Sequence, residues 1–389
     1  MNKLKKYRIS DIISVVGLLA VIYGFGILHI AMPDRSFSND ENRSLQTVPR
    51  LTVETLTNGK LAKDISSYCS DQMPFRDGFV GTKALAEAML LKKENNGVIL
   101  GSDGHIIAKQ DYTDYVNAEK EIDAVKFFAN SIDIPVHIAV AGRSQDVLAY
   151  RMPSLYPAQD VSDGTFEKIS VLLDGLDSVD LLTPLRTRAE MGEYVYYRTD
   201  HHWTTLGAYY AYAEIMRSLG TEPYPLDFFK RETVTDSFFG TTWSKAGMKW
   251  IEPDSIEFFR YTDDSAFTTE IGSTIRNGFY DLSYLEAKSK YSAFIGETFS
   301  LAKIRAESDS PYASSDRETL LVIKDSFAHS AAPFLALHYD LVMVDLRYYR
   351  FSVPELMEAE NIDRVLILCN ADNLLNTSSL STLAAWTYG

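Results

Sequence analysis

The sequence predicts an α/β fold built on a doubly wound parallel sheet, in which helices cover both faces of the strands. Apolar strand-like runs alternate with helical segments from about residue 114, and the alternation returns more regularly from residue 319. Such alternation is the pattern of parallel β-α-β units. In addition, a chain of 389 residues, 46% of them hydrophobic, is long enough to bury a full core.

An uncharged run at residues 12–32, IISVVGLLAVIYGFGILHIAM, predicts a membrane-spanning helix. It is close in length to the ~20 residues that cross a bilayer. Basic residues precede the run, and the positive-inside rule keeps such residues in the cytoplasm. They are Lys3, Lys5, Lys6 and Arg8. We expect residues 1–32 to be a cytoplasmic tip and an uncleaved anchor in the cell membrane, with the remainder extracytoplasmic. A cleaved signal sequence and a buried helix of a soluble protein are the alternatives.

Charge and cysteine content limit the classes of partner and site. The chain carries a net charge of -15. The first 32 residues hold four basic side chains against Asp11, a net +3, so the remainder carries -18. So acidic a body argues against nucleic acid as a partner, and we expect none, because phosphate binding needs a basic face. Cys69 and Cys369 are the only cysteines, which leaves one disulfide or two buried free thiols and excludes a cysteine-rich metal site.

The segment after the anchor is polar, and residues 33–60 predict an extended linker. We expect residues 61–389 to form the extracytoplasmic domain. Its first predicted elements are a helix near 60–95, two short strands around the turn in GVILGSDGHII, a helix in DYVNAEKEIDAVKFFANSI, a strand in PVHIAVAG, a helix over 164–176 and a strand in VDLLT.

Residues 221–300 are rich in aromatic residues, glycine and aspartate, and predict an irregular insertion or subdomain. The regular pattern then returns. Its predicted elements are a strand in TLLVIK, a helix over 328–338, a strand in YDLVMVDLRYY, a helix over 353–361, a strand in RVLILCN and a helix in the tail.

Polar residues follow three of these predicted strands. In parallel sheets, active residues collect at the carboxyl ends of the strands. Ser326 follows TLLVIK at the turn into a helix, where backbone N–H groups can face an oxyanion. Asp345 and Arg347 follow the next strand, and Asn370 ends the one after. These positions predict an active site at this edge of the sheet.

A serine hydroxyl needs a base to become nucleophilic, and the stretch YYRTDHHWTTLGAYYAY supplies one. If residues 198–203 are extended, Asp200 and His202 share one face and His201 lies on the other. The carboxylate can then bond His202 Nδ1 while Nε2 faces Ser326, which predicts a Ser-His-Asp triad. Thr204 or Thr205 is expected to cap the helix that follows.

Each of these residues also has a structural interpretation. Ser326 can be a plain helix N-cap, and His201 and His202 can be hydrogen-bonded core histidines. Arg347 can be the ion-pair partner of Asp345. Asp200, His201 and His202 together can be read as a metal site, but consecutive ligands rarely point at one ion, so we expect no metal and no cofactor.

The stretch TDHHWTTLGAYYAY resembles the signature of the DHHW proteins, which are similar to the SGNH-hydrolase-like proteins of alginate O-acetylation, extracellular polysaccharide O-acetyltransferases. Further blocks lie in family order, namely FSNDENRSLQTVP, DQMPFRD, FFGTTWSKAGM, YSAFIGE, VIKDSFAHSAAPFLALHYD and VDLRYY. The resemblance implies an SGNH-like fold outside the membrane and acyl transfer by a serine. It implies that Ser326 is the nucleophile, His202 the base and Asp200 the orienting acid.

The resemblance also implies roles around the triad. It implies an arginine, Arg347, near the acyl pocket, and we group Tyr348 with it as a candidate for oxyanion or substrate binding. The Ser326 N–H is the first candidate for an oxyanion donor, with Asn370 and Gly142 as further candidates. The family usually has glycine where this chain has Lys324. Trp243 and Trp250 are expected either to line a glycan groove or to pack in the core.

The residues and the resemblance together therefore predict an O-acetyltransferase that acts on an extracellular polysaccharide through an acetyl-serine. The resemblance implies a membrane-bound O-acyltransferase as its partner. A polysaccharide acetyl esterase with the same triad is one alternative. A non-catalytic scaffold of a polysaccharide-secretion complex, or a glycan-binding module, is the other.

Overall fold

The computed structural model describes residues 9–109, 115–261 and 264–385. It divides into two units, one formed by the residues up to Lys92 with Gly247–Lys249, and one formed by Lys93–Ala246 with Trp250–Gly389. The predicted basic tip at Lys3, Lys5, Lys6 and Arg8 lies outside the described residues.

The amino-terminal unit begins with a long apolar helix, α1 (Ile9–Ala31), which has no buried residue. Its mean hydropathy over 18 residues is 2.2, and it is long and apolar enough to cross a membrane. The segment predicted to be a linker contains a short antiparallel pair and one helix: β1 (Phe37–Ser38), β2 (Arg43–Ser44) and α2 (Val53–Thr57).

The helix predicted near 60–95 is two helices, α3 (Lys60–Asp71) and α4 (Arg76–Met89). Pro74 separates them, because a proline disfavours helical backbone at the residue before it. Phe75 then adopts left-handed backbone with φ of 60° at the start of α4. Cys69 is exposed on α3, and it is a free thiol like the buried Cys369, so the expectation of two buried thiols is wrong for Cys69.

The second unit holds the remaining strands in three sheets. In chain order they are β3 (Glu94–Asn95), β4 (Val98–Leu100), β5 (Ile106–Ala108), β6 (Val136–Ala141), β7 (Asp177–Val179), β8 (Lys230–Phe238), β9 (Asp254–Arg260), β10 (Phe267–Ile271), β11 (Thr274–Asn277), β12 (Leu301–Ala306), β13 (Thr319–Lys324), β14 (Asp340–Val344) and β15 (Arg364–Asn370). Strands β3–β5 form a small antiparallel sheet, and β8 pairs with β9.

Helices of the second unit connect and cover these strands. They are α5 (Val116–Asn130), α6 (Ser144–Val147), α7 (Ala158–Leu172), α8 (Leu182–Glu190), α9 (Thr205–Ser218), α10 (Thr241–Ala246), α11 (Ala328–Leu335), α12 (Val353–Ala359), α13 (Ala371–Asn376) and α14 (Thr382–Ala385). Short 3-10 turns lie at 149–151, 226–228, 264–266, 282–286 and 290–293.

The central sheet is mixed, with eight strands in the order β11-β10-β12-β14-β13-β15-β6-β7. The five strands from β14 to β7 are parallel, as predicted. The prediction of a parallel sheet is wrong for β10, β11 and β12, which pair antiparallel at one edge. Strands β10 and β11 are joined by a tight turn, and such a turn can join only antiparallel neighbours. The irregular segment at 221–300 therefore contributes two strands to the sheet.

Hydrophobic cores lie on both faces of the sheet. Along β13, Leu320 and Val322 belong to the core shared with α9 and α11. Leu321 and Ile323 belong to the core shared with α5, α12 and α13. Successive side chains of a strand point to opposite faces, so a continuous apolar run is expected where both faces are covered. This arrangement leaves the carboxyl ends of β13 and β15 as the edge from which polar side chains emerge.

Candidate active site

Ser326 lies in the turn between β13 and α11, two residues beyond the end of the strand. The preceding Asp325 holds this turn in place. Its Oδ1 accepts a hydrogen bond from Phe327 N at 2.9 Å, and its Oδ2 accepts from Asn370 N at 2.6 Å and from Asn373 Nδ2 at 2.7 Å. The carboxylate thus ties the serine turn to the end of β15 and to α13.

The histidine segment is a bend and not an extended strand, so that expectation is wrong. Tyr196 and Trp203 form an antiparallel bridge at its base. His202 N donates to Asp200 Oδ1 at 3.1 Å, a local side-chain turn that brings the carboxylate toward its own neighbour. Thr204 caps α9 by accepting from Gly207 N, as one of the two expected caps.

His202 bridges the two other residues of the predicted triad. Its Nδ1 lies 2.6 Å from Asp200 Oδ1, and its Nε2 lies 2.7 Å from Ser326 Oγ. The three side chains therefore form one continuous hydrogen-bonded chain, although His202 and Ser326 are 124 positions apart in the sequence. His202 and Asp200 are buried, whereas Ser326 is partly accessible. This geometry allows the imidazole to take the serine proton while the carboxylate holds the Nδ1–H tautomer.

Asp200 accepts further hydrogen bonds from the loop before α10. Its Oδ2 accepts from Thr241 N at 2.8 Å and from Thr241 Oγ1 at 3.0 Å. Gly240 passes so close that a Cβ there would overlap the carboxylate of Asp200. The FFGTTW stretch is therefore a cradle for this carboxylate, a contact that the sequence pattern did not predict.

The electrostatics favour an ionised Asp200 beside a neutral His202. Burial opposes ionisation of Asp200, but the neighbouring His201 and His202 hold its pKa well below the usual value. Burial, together with the charge of His201, lowers the pKa of His202 from 6.5. A neutral imidazole at neutral pH is the form that can accept a proton from Ser326.

Aromatic rings fix the imidazole of His202 from the sides. Tyr291 stacks on it with ring centroids 3.9 Å apart, and Phe327 lies 5.0 Å away. Tyr291 Oη is 2.9 Å from Ser330 Oγ, which also accepts from Trp203 Nε1 at 2.8 Å. The tryptophan of the Asp-His-His-Trp stretch is thus completely buried and ties the bend to α11.

His201 lies beside His202 rather than on an opposite face. Their ring centroids are 3.8 Å apart, and His201 Nδ1 is 2.8 Å from Thr241 Oγ1. Asp200, His201 and His202 offer three potential ligand atoms within 4.8 Å of one another. Both Asp200 oxygens and His202 Nδ1 are already engaged in hydrogen bonds, so the donor set does not form an open metal site.

Arg347 and Tyr348 lie at the carboxyl end of β14. Arg347 is paired with Asp345 through Nε at 2.9 Å and Nη2 at 2.7 Å, which is the ion pair considered from the sequence. It lines a small cavity together with Lys324 and Asp325. Tyr348 is half exposed, and the Arg347 guanidinium lies 5.6 Å from its ring.

Asn370 and Gly142 lie at the ends of β15 and β6, and their hydrogen bonds are local. Asn370 Nδ2 donates to the carbonyls of Ala141 and Gly142 at 3.3 and 3.4 Å, and its Oδ1 caps α13 by accepting from Asp372 N at 2.9 Å. The Gly142 carbonyl also accepts from Tyr196 Oη at 2.5 Å. These bonds occupy the amide of Asn370 in joining two strands.

The Ser326 N–H makes no hydrogen bond within the part of the chain that the structure describes. It stands at the amino-terminal end of α11, directly beside the serine hydroxyl.

The two tryptophans considered for a glycan groove differ in exposure. Trp243 is buried against Phe239, with ring centroids 4.5 Å apart, and Trp250 is 37% exposed. Trp243 therefore packs in the core, which is one of the two roles expected for it.

Several residues of this site carried no signal in the sequence. Asp254 is fully buried and accepts from Thr199 N at 2.9 Å and Thr199 Oγ1 at 2.6 Å, which fixes the residue before Asp200. Tyr291, Gly240 and Thr241 contact the site from the irregular segment. All three lie in stretches quoted above as family blocks, YSAFIGE and FFGTTW, and that position was the only indication of them in the sequence.

Comparison with known proteins bears on the same region. Residues 183–345 match the family model described as DHHW protein. These matched residues include the Asp-His-His-Trp bend, Tyr291 and the Ser326 turn. The resemblance predicted from the sequence is thereby confirmed.

Curated relatives of the chain carry the name probable alginate O-acetylase AlgJ. The protein from Pseudomonas syringae pv. tomato is 24% identical over 233 residues, which is 56% of this chain and 56% of the relative. The protein from Pseudomonas aeruginosa is 25% identical over 176 residues, 42% of this chain and 44% of the relative. The chain spans about half the length of the curated relatives that it matches.

Solved structures share the fold over most of the chain. A DHHW family protein from Eubacterium siraeum superposes with a TM-score of 0.60 at 22% identity, covering 74% of this chain and 95% of that one. PatB1 from Bacillus cereus gives 0.57 at 18% identity, covering 72% and 98%. These similarities identify an α/β fold with a mixed central sheet.

Proposed function

We propose that this protein is an O-acetyltransferase that moves acetyl groups onto hydroxyls of an extracellular polysaccharide through Ser326. The observation that carries the proposal is the pair of short contacts at His202, 2.7 Å to Ser326 Oγ and 2.6 Å to Asp200 Oδ1. The names of the relatives, probable alginate O-acetylases, favour acetyl transfer to a polysaccharide among the reactions of such a triad.

In the first half-reaction, His202 Nε2 removes the proton of Ser326 Oγ as this oxygen attacks the carbonyl carbon of the acetyl donor. The tetrahedral intermediate collapses with cleavage of the bond to the donor's leaving oxygen. That oxygen takes the proton from His202, and the products are an acetyl-serine and the deacylated donor. Asp200 holds the imidazolium by its Nδ1–H throughout and keeps its own charge.

In the second half-reaction, a sugar hydroxyl attacks the acetyl-serine. His202 takes the hydroxyl proton, and collapse of the intermediate breaks the bond to Ser326 Oγ. The proton then returns from His202 to the serine oxygen. The sugar leaves as its acetyl ester, and no metal or cofactor takes part in either half-reaction.

Each tetrahedral intermediate carries a negative oxygen that needs hydrogen-bond donors. The Ser326 N–H is available in the described structure, which supports its assignment as the first donor. One such donor contributes about 3 kcal/mol to stabilising the transition state. Asn370 is a weaker candidate because its amide already bonds two carbonyls. Arg347 and Tyr348 lie at the neighbouring strand end, and we assign them to the substrate side of the site.

The cellular setting follows from helix α1. We assign α1 as a single span of the cell membrane, with the SGNH-like catalytic domain outside and the amino terminus in the cytoplasm. A membrane-bound O-acyltransferase then supplies acetyl groups from the other side of the bilayer. The length and hydropathy of α1 support the span, and the basic residues before it support the cytoplasmic amino terminus.

The test is intact mass spectrometry of the full chain after incubation with 4-nitrophenyl acetate. We expect wild type to gain one acetyl group, and the Ser326→Ala and His202→Ala variants to gain none. Addition of an acetylatable oligosaccharide should discharge the adduct and yield an acetylated sugar. An adduct that is discharged equally fast with and without the sugar indicates an esterase. A folded wild type that forms no adduct and releases no nitrophenol contradicts serine catalysis and favours the scaffold.

A further inference from the structure

Helix α4 exposes an uncharged face along its whole length. At about 100° per residue, this face covers an arc of about 120° of the helix. Its members are all exposed, and they are Gly78, Phe79, Thr82, Leu85, Ala86 and Met89. The three large apolar side chains, Phe79, Leu85 and Met89, are 49%, 48% and 77% exposed. Leu90 extends the same surface at the end of the helix, where it is 81% exposed.

The other sides of α4 are already covered or paired within the same unit. Ala84 is buried, and Gly81 faces the side chain of Lys249. The acidic residues of the helix point away from the uncharged face. Asp77 pairs with Arg35 at 2.7 Å and Glu87 with Lys92 at 2.9 Å. Apart from a contact of Phe79 with α1, the described residues of this unit leave the uncharged face exposed, and no charged side chain lies within it.

The position of this face relative to α1 is given by direct contacts. The ring of Phe25 in α1 lies 5.8 Å from that of Phe79 in α4. The ring of His29 in α1 lies 5.4 Å from that of Tyr68 in α3, the helix before α4. Phe25 is six residues before the end of α1 at Ala31, which is about 9 Å along a helix that rises ~1.5 Å per residue. Helix α4 thus lies beside the last two turns of the apolar helix and not beyond its end.

From these contacts we infer that α4 is an interfacial helix, whose uncharged face inserts into the bilayer at the boundary where α1 leaves it. The inference rests on α1 being a membrane span, and it is independent of the acetyl-transfer chemistry. A helix of 23 residues is about 34 Å long and a bilayer's hydrocarbon core is ~30 Å thick, so Phe25 and its neighbour Phe79 lie inside the boundary. Interfacial helices bury their apolar faces by ~5–10 Å, which matches this depth.

Lipid is the occupant that the composition of the face favours. A protein partner of comparable area would make about one hydrogen bond per 100–200 Å². Apart from the Thr82 hydroxyl, the side chains of the face offer no hydrogen-bonding group. Helix α1, which it adjoins at Phe25, is itself apolar and exposed, with Ile27 and Ile30 at 66% and 86% exposure. Lys83 borders it, as is usual for helices at anionic lipid surfaces.

The test places a fluorescent probe on the face in the full chain. A Cys69→Ser background carries Met89→Cys labelled with a nitrobenzoxadiazole, and the protein is reconstituted in vesicles of phosphatidylethanolamine and phosphatidylglycerol. We expect a blue-shifted emission and loss of fluorescence when the lipids carry a nitroxide on the acyl chain. The matched control is Val171→Cys on α7, an apolar position that is 69% exposed against 77% for Met89, and its emission should stay that of a probe in water.

A second probe at Leu19→Cys in α1 tests the membrane span of α1 separately from the insertion of α4. Quenching at position 19 without quenching at position 89 overturns the interfacial helix and leaves the span intact. No quenching at either position overturns both. A blue shift at position 89 that grows with the protein-to-lipid ratio and is not quenched by nitroxide lipid indicates contact between copies, and it also overturns the inference.

Discussion

The phenol ring of Tyr291 stacks on the imidazole of His202, with ring centroids 3.9 Å apart and an angle of 9° between their planes. The two residues are 89 positions apart in the chain, and Tyr291 comes from a short 3-10 turn of the irregular segment. Asp200 and Ser326 fix the two nitrogens of the imidazole in its plane, and Tyr291 covers one face. The orientation of the predicted base is therefore determined in all directions.

Loss of this stack should impair catalysis without removing a reacting group. We expect Tyr291→Leu to lower kcat by about 10²-fold with little change in KM, because a misplaced base has that order of effect. Tyr291→Phe keeps the stack and loses only the contacts to Ser330 and to the Ser326 carbonyl, so its kcat should fall less. Rates with 4-nitrophenyl acetate and circular dichroism of both variants provide the measurement. A folded Leu variant with the wild-type rate would show that the ring has no positioning role.

Asp200 is expected to act by holding the tautomer of His202. Asp200→Asn keeps the size of the side chain but replaces one acceptor oxygen by a donor, so the imidazole loses its partner for Nδ1–H. We expect the acetylation rate of Ser326 to fall by on the order of 10⁴-fold. Single-turnover acetylation followed by mass spectrometry measures this rate. The prediction fails if the Asn variant acetylates within tenfold of wild type.

The rate of Ser326 acetylation should rise with pH and then level off. His202 acts as a base only when it is neutral, and burial with the adjacent His201 lowers its pKa below 6.5. The neutral form dominates above that pKa, so the midpoint of the rise should lie on the acid side of 6.5 and the rate should be flat at neutral pH. Stopped-flow release of nitrophenol over this range locates the midpoint.

Replacing His201 by glutamine tests the cause of that shift. The variant removes a neighbouring positive charge, which should raise the pKa of His202 and move the midpoint to higher pH. His201 takes no part in the proposed proton transfers, so the rate on the plateau should change little. A midpoint that moves to lower pH, or does not move, would contradict this electrostatic account.

Gly240 is expected to tolerate no side chain. In Gly240→Ala the new Cβ would overlap Asp200, so we expect the carboxylate to move and acetylation to be lost, although no reacting group is changed. The matched control is Gly164→Ala in α7, where a Cβ would meet no atom within 4 Å. That control should keep full activity and gain about 0.5–1 kcal/mol in unfolding free energy, as expected for alanine in a helix. Equal activity of the two variants would contradict the close packing at Asp200.

Much of the local structure could be predicted from periodicity. The run of α1 is visible because it is long, uncharged and apolar. The strands TLLVIK and RVLILCN are visible because burial on both sheet faces demands uninterrupted apolar residues. Strands of the irregular segment were missed because mostly exposed antiparallel strands such as β8 and β11 carry little apolar periodicity. Their pairing depends on partners elsewhere in the chain, which no local window contains.

The sequence alone determined which reactive side chains the protein has and which of them follow the ends of buried strands. Ser326 at the end of a buried strand, and Asp200 two residues before His202, were visible as residue types at meaningful spacings. Only the tertiary structure decided that the segment around His202 is a bend. It also decided that Gly240, Thr241, Asp254 and Tyr291 surround the site. The reason is that hydrogen bonds and ring contacts act over a few ångströms in space, whereas these partners are tens of positions apart along the chain.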